Sequence, residues 1–301
     1  MLGKGVIGEI LSNIISKKIN LLIVNSLLSP RQQKNLEDKL KIKVIDRTGI
    51  ILEIFSKRAK SKEGKLQVEL ADLMYRKSRL VRAWTHLERQ RGGTTFIGGP
   101  GELQIELDRR LIQEKISRIR SNLKKVESRR NQQRKLRKKT DFKTFALVGY
   151  TNAGKSKLFN CLTKKKQSSK NVMFETLDTK TGRVYLGEDK YIGVIDTVGF
   201  INNIPTQLIE SFKATLEELL YADVLINVVD ISDIDYKNKE RVTIKTLRMA
   251  NVSEEKIKNM ITVYNKVDLS PYDLSSNKKN YISAYTGYGI EEFKTNLINF
   301  F

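Results

Sequence analysis

The stretch ALVGYTNAGKSKLFN, Ala146–Asn160, sets two glycines, a lysine and a serine between two apolar runs. The spacing Gly149-x-x-x-x-Gly154-Lys155-Ser156 matches the phosphate-binding loop of nucleotide-binding proteins. The run FALV predicts a buried strand, and SKLFNCLT predicts the start of a helix. In such a loop backbone N–H groups point at phosphate oxygens, Lys155 reaches the β- and γ-phosphates, and the Ser156 hydroxyl binds Mg²⁺. We therefore predict a nucleotide site here, the alternative being a chance glycine turn.

Three later motifs predict that the nucleotide carries guanine. The sequence DTVG at Asp196–Gly199 follows the strand-like run YIGVI, so its aspartate can reach Mg²⁺ through water and its glycine N–H can meet the γ-phosphate. The sequence NKVD ends at Asp268, a carboxylate that can accept from both guanine N1–H and the exocyclic amine. We expect guanine O6 to accept from the Ala284 N–H and to be approached by Asn265. Adenine would leave a buried carboxylate unpaired, a mismatch of about 10⁴-fold. The motifs together predict a GTPase.

Composition excludes several other classes of protein and of functional site. The chain has 301 residues, of which 40% are hydrophobic and 30% charged, enough for two folded domains. One cysteine, Cys161, allows no internal disulfide, and one histidine, His86, allows neither a histidine zinc cluster nor a Ser-His-Asp triad. No apolar run approaches the roughly 18 residues of a membrane span. We expect a cytoplasmic protein with no membrane span.

Charge is distributed unevenly along the chain. The net charge is +22, of which residues 1–140 carry +20 and residues 141–301 carry +2. Residues 109–139 contain 14 basic and 2 acidic side chains. A solvated helix face is the alternative, but such faces usually mix signs. We predict contact with RNA or DNA through phosphates.

Three regions follow from the hydrophobic patterns. Residues 1–60 predict a small α/β unit, with strands in INLLIVNS and KIKVIDR and a helix beginning at Pro30 after the capping residue Ser29. Residues 61–140 predict two helices with a seven-residue apolar rhythm, joined by a glycine-rich tip at 91–101 into an antiparallel coiled-coil hairpin. Residues 141–301 alternate strands and helices, which predicts a P-loop GTPase domain with a mostly parallel sheet covered by helices on both faces.

The motifs GGPGELQIELDRR, GYTNAGKS, FETLD and DTVGFI resemble the HflX family of ribosome-associated GTPases. The segments DRTGIILEIFSKRAKSKEGKLQVELA and LVRAWTHLERQRGG resemble that family's N-terminal domain. The resemblance implies a protein that binds the large ribosomal subunit and its RNA and, with GTP, separates stalled ribosomes. We expect it to be a monomer. It also implies that the hairpin approaches ribosomal RNA near the peptidyl-transferase centre. A GTPase assisting large-subunit assembly, and an RNA-binding protein with a structural nucleotide, remain alternatives.

The same match implies that Thr176 joins Ser156 in holding Mg²⁺, and that residues 162–175 form a loop ordered by the γ-phosphate. The chain departs from the family pattern at Lys157 and at Leu103 and Leu107, where threonines are usual, and at Thr179, where proline is usual. We also expect it to lack the start of the usual N-terminal domain and the C-terminal extension.

Two further expectations concern catalysis. Phe200 stands where many GTPases place a water-orienting glutamine, so we expect slow hydrolysis that a partner accelerates. Asn152 could hold a K⁺ ion near the phosphates, as similar asparagines do in related GTPases.

The predicted site residues fall into three sets. The catalytic set is Lys155, Thr176 and Gly199, and the metal ligands are Ser156 and Thr176. The nucleotide-binding set comprises Gly149, Tyr150, Thr151, Asn152, Ala153, Gly154, Lys155, Ser156, Lys157, Phe174, Glu175, Thr176, Leu177, Asp178, Asp196, Thr197, Val198, Gly199, Asn265, Lys266, Val267, Asp268, Ser283, Ala284 and Tyr285.

Overall fold

The computed structural model describes residues 4–84, 100–138, 142–164, 174, 176–187, 189–202, 205–270 and 280–300. Three predicted features lie wholly or mostly outside these residues. They are the tip at 91–101, the loop at 162–175, including Glu175, and His86. The chain divides into two compact units, the first formed by Met1–Lys57 and Val68–Arg120, the second by Arg58–Gln67 and Ser121–Phe301.

The first unit begins with alternating helices and strands. Its elements are α1 (Lys4–Lys17), β1 (Leu21–Val24), α2 (Pro30–Leu40), β2 (Lys43–Asp46) and α3 (Arg47–Arg58). Strands β1 and β2 pair in parallel. Ser29 caps α2 with a reciprocal capping box, in which the Gln32 N–H donates to the Ser29 hydroxyl and the Ser29 N–H donates to the Gln32 side chain. The predicted strands, helix and cap are confirmed here.

A buried carboxylate organises this unit. Asp46 is 1% exposed and pairs with Arg79 at 2.6 Å. Its other oxygen accepts from the Tyr75 hydroxyl at 2.7 Å and from the Gly49 N–H at 2.9 Å. Burial and the neighbouring Asp46 raise the pKa of Tyr75, which keeps its hydroxyl protonated as the donor.

Two long helices, α4 (Lys62–Trp84) and α5 (Pro100–Lys138), follow. Of the residues in the predicted apolar seams, Leu70, Ile116 and Ile119 are buried. Lys77 of α4 donates to the Gln113 side chain of α5. This bond links the two helices within the first unit. The coiled-coil packing itself stays a prediction.

The second unit is built on a six-stranded sheet with the order β4-β5-β3-β6-β7-β8. Its strands are β3 (Thr144–Val148), β4 (Lys180–Gly187), β5 (Lys190–Asp196), β6 (Val224–Asp230), β7 (Ile261–Asn265) and β8 (Asn280–Tyr281). All neighbours pair in parallel except β4, which is antiparallel to β5. The predicted mostly parallel sheet is confirmed, whereas β4 was not predicted.

Alternate residues of β3 supply the cores on the two faces of this sheet. Phe145 and Leu147 belong to one buried cluster, and Ala146 and Val148 belong to another. Successive side chains of a strand point to opposite faces, so a wholly apolar strand must be covered on both.

Helices cover these faces. They are α6 (Lys155–Thr163), α7 (Thr206–Ser211), α8 (Lys213–Tyr221), α9 (Tyr236–Met249), α10 (Glu254–Lys258) and α11 (Ile290–Ile298), with a 3₁₀ turn at Val267–Leu269. The run PTQLIESFKATLEELLY, predicted as one helix, is divided into α7 and α8 at Phe212, whose φ of −92° and ψ of 11° depart from helical values while its side chain is buried.

Within the described residues, none of the helices combines the length and the apolarity that crossing a bilayer requires.

Candidate active site

The phosphate-binding loop lies between β3 and α6, and two of its glycines are required by close contacts. Gly149 has a φ of +139°, and a Cβ there would lie 2.3 Å from the carbonyl oxygen of Val228. Gly154 has a φ of +95°, and its Cβ would lie 2.1 Å from the amide nitrogen of Asn265. A side chain at either position would distort the loop. Both positions therefore require glycine for steric reasons, and phosphate binding by the loop stays a prediction.

Lys155 is buried inside this loop. Its Nζ donates to the carbonyl oxygens of Gly149 at 3.1 Å and Tyr150 at 2.9 Å. Burial lowers the pKa of Lys155 to about 8, and the nearby carboxylate of Asp196 opposes that shift. The two carbonyl groups that hold this buried ammonium carry no net charge. A phosphate bound nearby would supply a negative charge to balance the positive charge of Lys155.

Three oxygen-bearing side chains converge beside Lys155. The Thr176 hydroxyl donates to Asp196 Oδ2 at 2.8 Å, and Ser156 Oγ lies 2.7 Å from Thr176 Oγ1. Burial raises the pKa of Asp196, and hydrogen bonds from Ser156 and Thr176 act in the opposite direction. Among the described residues, Asp196 Oδ1 is buried with no hydrogen-bond partner.

These oxygens fit a magnesium ion. Hard oxygen donors are the ligands that Mg²⁺ prefers, and a divalent cation would satisfy the unpaired carboxylate oxygen of Asp196. The sequence predicted Ser156 and Thr176 as ligands and Asp196 as a contact through water. The structure brings all three together.

The predicted base pocket forms where β7 ends. The Asn265 side chain donates to the Ala153 carbonyl at 2.9 Å and accepts from the Ala284 N–H at 2.9 Å. This arrangement ties the phosphate-binding loop to the Ser283-Ala284 loop. The Ala284 N–H, expected to meet guanine O6, donates here to Asn265, and its contact with the base stays a prediction.

The charged residues of NKVD differ from each other in their surroundings. Lys266 has a φ of +65°, and its ammonium pairs with Asp230 at 2.6 Å at the end of β6. Asp268 is exposed. The expected pairing of Asp268 with guanine stays a prediction. Its accessibility leaves both oxygens available to a ligand.

A single cavity of about 470 Å³ collects these groups, a size typical of small-molecule sites. Its lining includes fifteen of the predicted residues: Thr151, Asn152, Gly154, Lys155, Ser156, Lys157, Phe174, Thr176, Thr197, Gly199, Asn265, Lys266, Asp268, Ala284 and Tyr285. Some predicted residues belong to the described part of the chain but do not line the cavity. They are Gly149, Tyr150, Ala153, Leu177, Asp178, Asp196, Val198, Val267 and Ser283.

Comparison with known proteins explains why these groups occur together. Three family models match successive parts of the chain: "GTP-binding GTPase N-terminal" over residues 1–56, "GTP-binding GTPase Middle Region" over 58–137 and "50S ribosome-binding GTPase" over 144–266. A GTPase HflX of Magnetococcus marinus is 46% identical, in an alignment that spans 98% of this chain and 69% of the relative. The chain belongs to the HflX family of GTPases. Its reaction is the hydrolysis of GTP.

Two further similarities bear on the family and the fold. The GTPase HflX of Caldanaerobacter subterraneus is 44% identical, over 96% of this chain and 67% of the relative. A crystal structure of a GTP-binding protein from the archaeon Sulfolobus solfataricus, in complex with GDP, covers 99% of this chain and 85% of its own, with 24% identity and a TM-score of 0.51. The latter supports the fold alone.

In this HflX chain the segment after Asp196 is fastened to the phosphate-binding loop by its backbone. The Phe200 N–H donates to the Gly149 carbonyl at 3.1 Å, and the Thr151 N–H donates to the Phe200 carbonyl at 2.8 Å. The Phe200 side chain is buried in the core cluster with Ala146 and Val148. It therefore cannot orient an attacking water. A Cβ on Gly199 would lie 2.8 Å from the backbone Cα of Thr151, so glycine is needed at that position.

The HflX motifs did not reveal every residue of the site. Leu269 lines the cavity and is 66% exposed, directly after NKVD, where only its position next to the motif could have indicated it. The Lys157 ammonium lies 5.6 Å from the centre of the Tyr285 ring, a cation–π pair at the mouth of the cavity. The Asp178 carboxylate hydrogen-bonds to residues 60 and 61, a contact that no local pattern predicts.

Proposed function

We propose that this HflX GTPase binds the large ribosomal subunit and, in its GTP-bound state, splits or rescues stalled ribosomes. The observation that carries this proposal is the combination of a guanine-type nucleotide cavity with a strongly basic helix α5 in one chain. A family model described as a ribosome-binding GTPase, matching residues 144–266, supports it.

The geometry of the site supports the following roles for its residues. Asp268 would accept from the two donors of guanine, and Lys155 would bind the β- and γ-phosphates. Ser156 and Thr176 would hold Mg²⁺, with Asp196 behind them, and the Gly199 N–H would contact the γ-phosphate. The ion would neutralise phosphate charge as the bond to the leaving group breaks. Asn152, which lines the cavity with a φ of +66°, is available for K⁺.

Stimulation by a partner is part of the proposal. The buried Phe200 supplies no hydrogen bond to water, so the isolated protein lacks one component that fast hydrolysis needs. A subunit that supplies or induces a water-orienting group would raise the rate. The lone cysteine is consistent with a cytoplasmic location, and we propose that the protein acts as a monomer.

The basic surface is the proposed attachment to RNA. Eight basic side chains of α5 are exposed, namely Arg109, Arg110, Lys115, Arg118, Arg120, Lys124, Lys125 and Arg129. Such side chains bind nucleic acid by neutralising phosphates and releasing counterions. Arg130 differs from them, since it pairs with Glu63 at 2.7 Å and Glu218 at 3.5 Å. We therefore assign Arg130 a structural role.

Sedimentation tests the splitting function. Intact ribosomes would be incubated with the protein and a non-hydrolysable GTP analogue, and separated on sucrose gradients. We expect free subunits to accumulate with the analogue and not with GDP, and the protein to migrate with the large subunit. Intact ribosomes that survive, together with binding to immature large-subunit particles, would instead favour a role in assembly. Binding that is indifferent to the nucleotide would favour an RNA-binding protein with a structural nucleotide.

A further inference from the structure

Asp178 lies two residues after Thr176, yet it does not line the nucleotide cavity, and its carboxylate bonds to residues distant in the sequence. Its Oδ2 accepts from the Lys60 N–H at 3.1 Å and from the Ser61 N–H at 2.8 Å. The Ser61 hydroxyl donates to its Oδ1. Three donors on one carboxylate make a strong, directional attachment, because hydrogen bonds to a charged group are stronger than neutral ones.

The residues that hold Asp178 also begin helix α4. Ser61 immediately precedes α4, its hydroxyl accepts from the Gly64 N–H at 2.8 Å, and its carbonyl accepts from the Lys65 N–H at 3.0 Å. Ser61 therefore caps the helix and binds Asp178 with the same hydroxyl group. Residues 58–67 and Asp178 all belong to the second unit.

Gly64 provides independent support for this junction. The residue is buried in the first turn of α4, where alanine would favour the helix more than glycine does. A Cβ on Gly64 would lie only 2.2 Å from Asp178 Oδ1. The absence of a side chain at position 64 is thus what lets Asp178 reach Ser61.

We propose that Ser61 is a positioning residue for GTP hydrolysis, acting through Asp178 on Thr176. Two residues span at most about 7 Å of extended chain. A shift of Asp178 would therefore also move Thr176. Holding Asp178 keeps the Thr176 hydroxyl beside Ser156 and Asp196, where the metal ion is expected. The inference rests on the proposed role of Thr176 as a ligand of Mg²⁺.

The junction would also link the position of Thr176 to the first turn of helix α4. Helix α4 starts in the second unit and continues through Val68 and beyond in the first. Any partner that favours one arrangement of its first turn would favour the matching position of Thr176, and binding of the γ-phosphate would act in the reverse direction.

Two variants disturb the junction in different ways. Gly64→Ala strengthens α4 as a helix but displaces Asp178, and Ser61→Ala removes one donor to Asp178 along with the cap. Ser61→Thr keeps the hydroxyl. Ser253→Ala is the matched control, because Ser253 caps α10 by accepting from the Lys256 N–H and does not line the nucleotide cavity.

The test compares affinities for a non-hydrolysable GTP analogue and for GDP, together with the Mg²⁺ concentration that gives half-maximal hydrolysis. We expect Gly64→Ala and Ser61→Ala to lower the ratio of analogue to GDP affinity about tenfold, the loss expected when a charged hydrogen bond is broken, and to raise the Mg²⁺ requirement. Ser61→Thr and Ser253→Ala should leave both quantities unchanged. Affinity for GDP reports folding in every variant, because GDP does not need Thr176.

Thr176→Ala separates the two proposals. If it lowers the ratio while Gly64→Ala and Ser61→Ala do not, the positioning role of Ser61 is wrong and the metal site stands. If Thr176→Ala itself leaves the ratio and the Mg²⁺ requirement unchanged, the proposed metal role of Thr176 is wrong.

Discussion

Asp268 is the residue that we expect to distinguish guanine from other bases. The Asp268→Asn substitution replaces one carboxylate oxygen, an acceptor, with an amide N–H group, a donor. One of guanine's two donor groups then faces another donor. In xanthine a carbonyl oxygen stands at that position and can accept from the new amide. We expect GTP affinity to fall by about 10²-fold or more and the preference to move to xanthosine triphosphate. Competition binding with the two nucleotides measures this.

The control for that variant is Asp235→Asn, an exposed aspartate that does not line the cavity. Unchanged GTP affinity in Asp268→Asn would show that the base lies elsewhere.

Lys155 makes nucleotide affinity depend on pH. Burial places its pKa at about 8, and a bound phosphate, by favouring the ammonium, raises the pKa in the complex. The binding contribution is therefore fully present below about pH 8 and is lost as the pH rises above it, by up to about tenfold per unit. Calorimetry in buffers of different ionisation enthalpy should detect proton uptake on GDP binding between about pH 8 and 9. Proton uptake that does not change across this range would contradict the assigned pKa.

At the residue scale, the sequence predicted which side chains meet but not all of their partners. Gly149, Lys155 and Ser156 lie in one short motif whose local geometry is determined by backbone sterics. Asn265 instead bonds to the backbone of two other loops, and Asp178 bonds to a serine more than a hundred residues away. Such contacts depend on how loops are brought together by the fold, and no local pattern records them.

Helix α5 is the element on which ribosome binding depends in this account. Replacing Arg118, Lys124, Lys125 and Arg129 with glutamate should weaken binding to large subunits by about 10²-fold or more at moderate salt. The slope of log affinity against log salt should fall by about 3, because phosphate contacts release counterions. GTP affinity should not change. Pelleting with large subunits between roughly 50 and 200 mM salt measures the effect.

The matched control reverses four exposed basic residues on other helices of the second unit, Lys237, Arg241, Lys245 and Lys258. The total charge change is the same, so a loss specific to α5 separates a binding surface from a general effect of charge. If both variants bind alike, the basic face of α5 is only solvated surface.

Within the six-stranded sheet, the buried apolar strands were predicted from the sequence, whereas the edge strand β4 was not. Strands β3 and β6 are buried on both faces, so their sequences read as continuous apolar segments. Strand β4 lies at the edge of the sheet, alternates exposed residues with buried ones and contains two glycines, which hid it.

The boundaries between the two compact units fall within helices α4 and α5. Residues 58–67 belong with the second unit, although they lead directly into helix α4. Ser61 and Glu63 of this segment bond to Asp178 and Arg130, which belong to the same unit and are distant along the chain. Composition and charge could divide the sequence near residue 140, but could not show that the start of α4 packs with the GTPase core.

We propose that the large ribosomal subunit is the partner that activates this GTPase. Single-turnover hydrolysis of GTP, measured with and without purified large subunits, tests it most directly. Because Phe200 is buried and supplies no group to orient water, we expect slow hydrolysis by the protein alone and an increase of at least about 10²-fold with large subunits, within the range that partner-supplied groups provide. Hydrolysis that is already fast without ribosomal particles, and unchanged by adding them, would contradict the account.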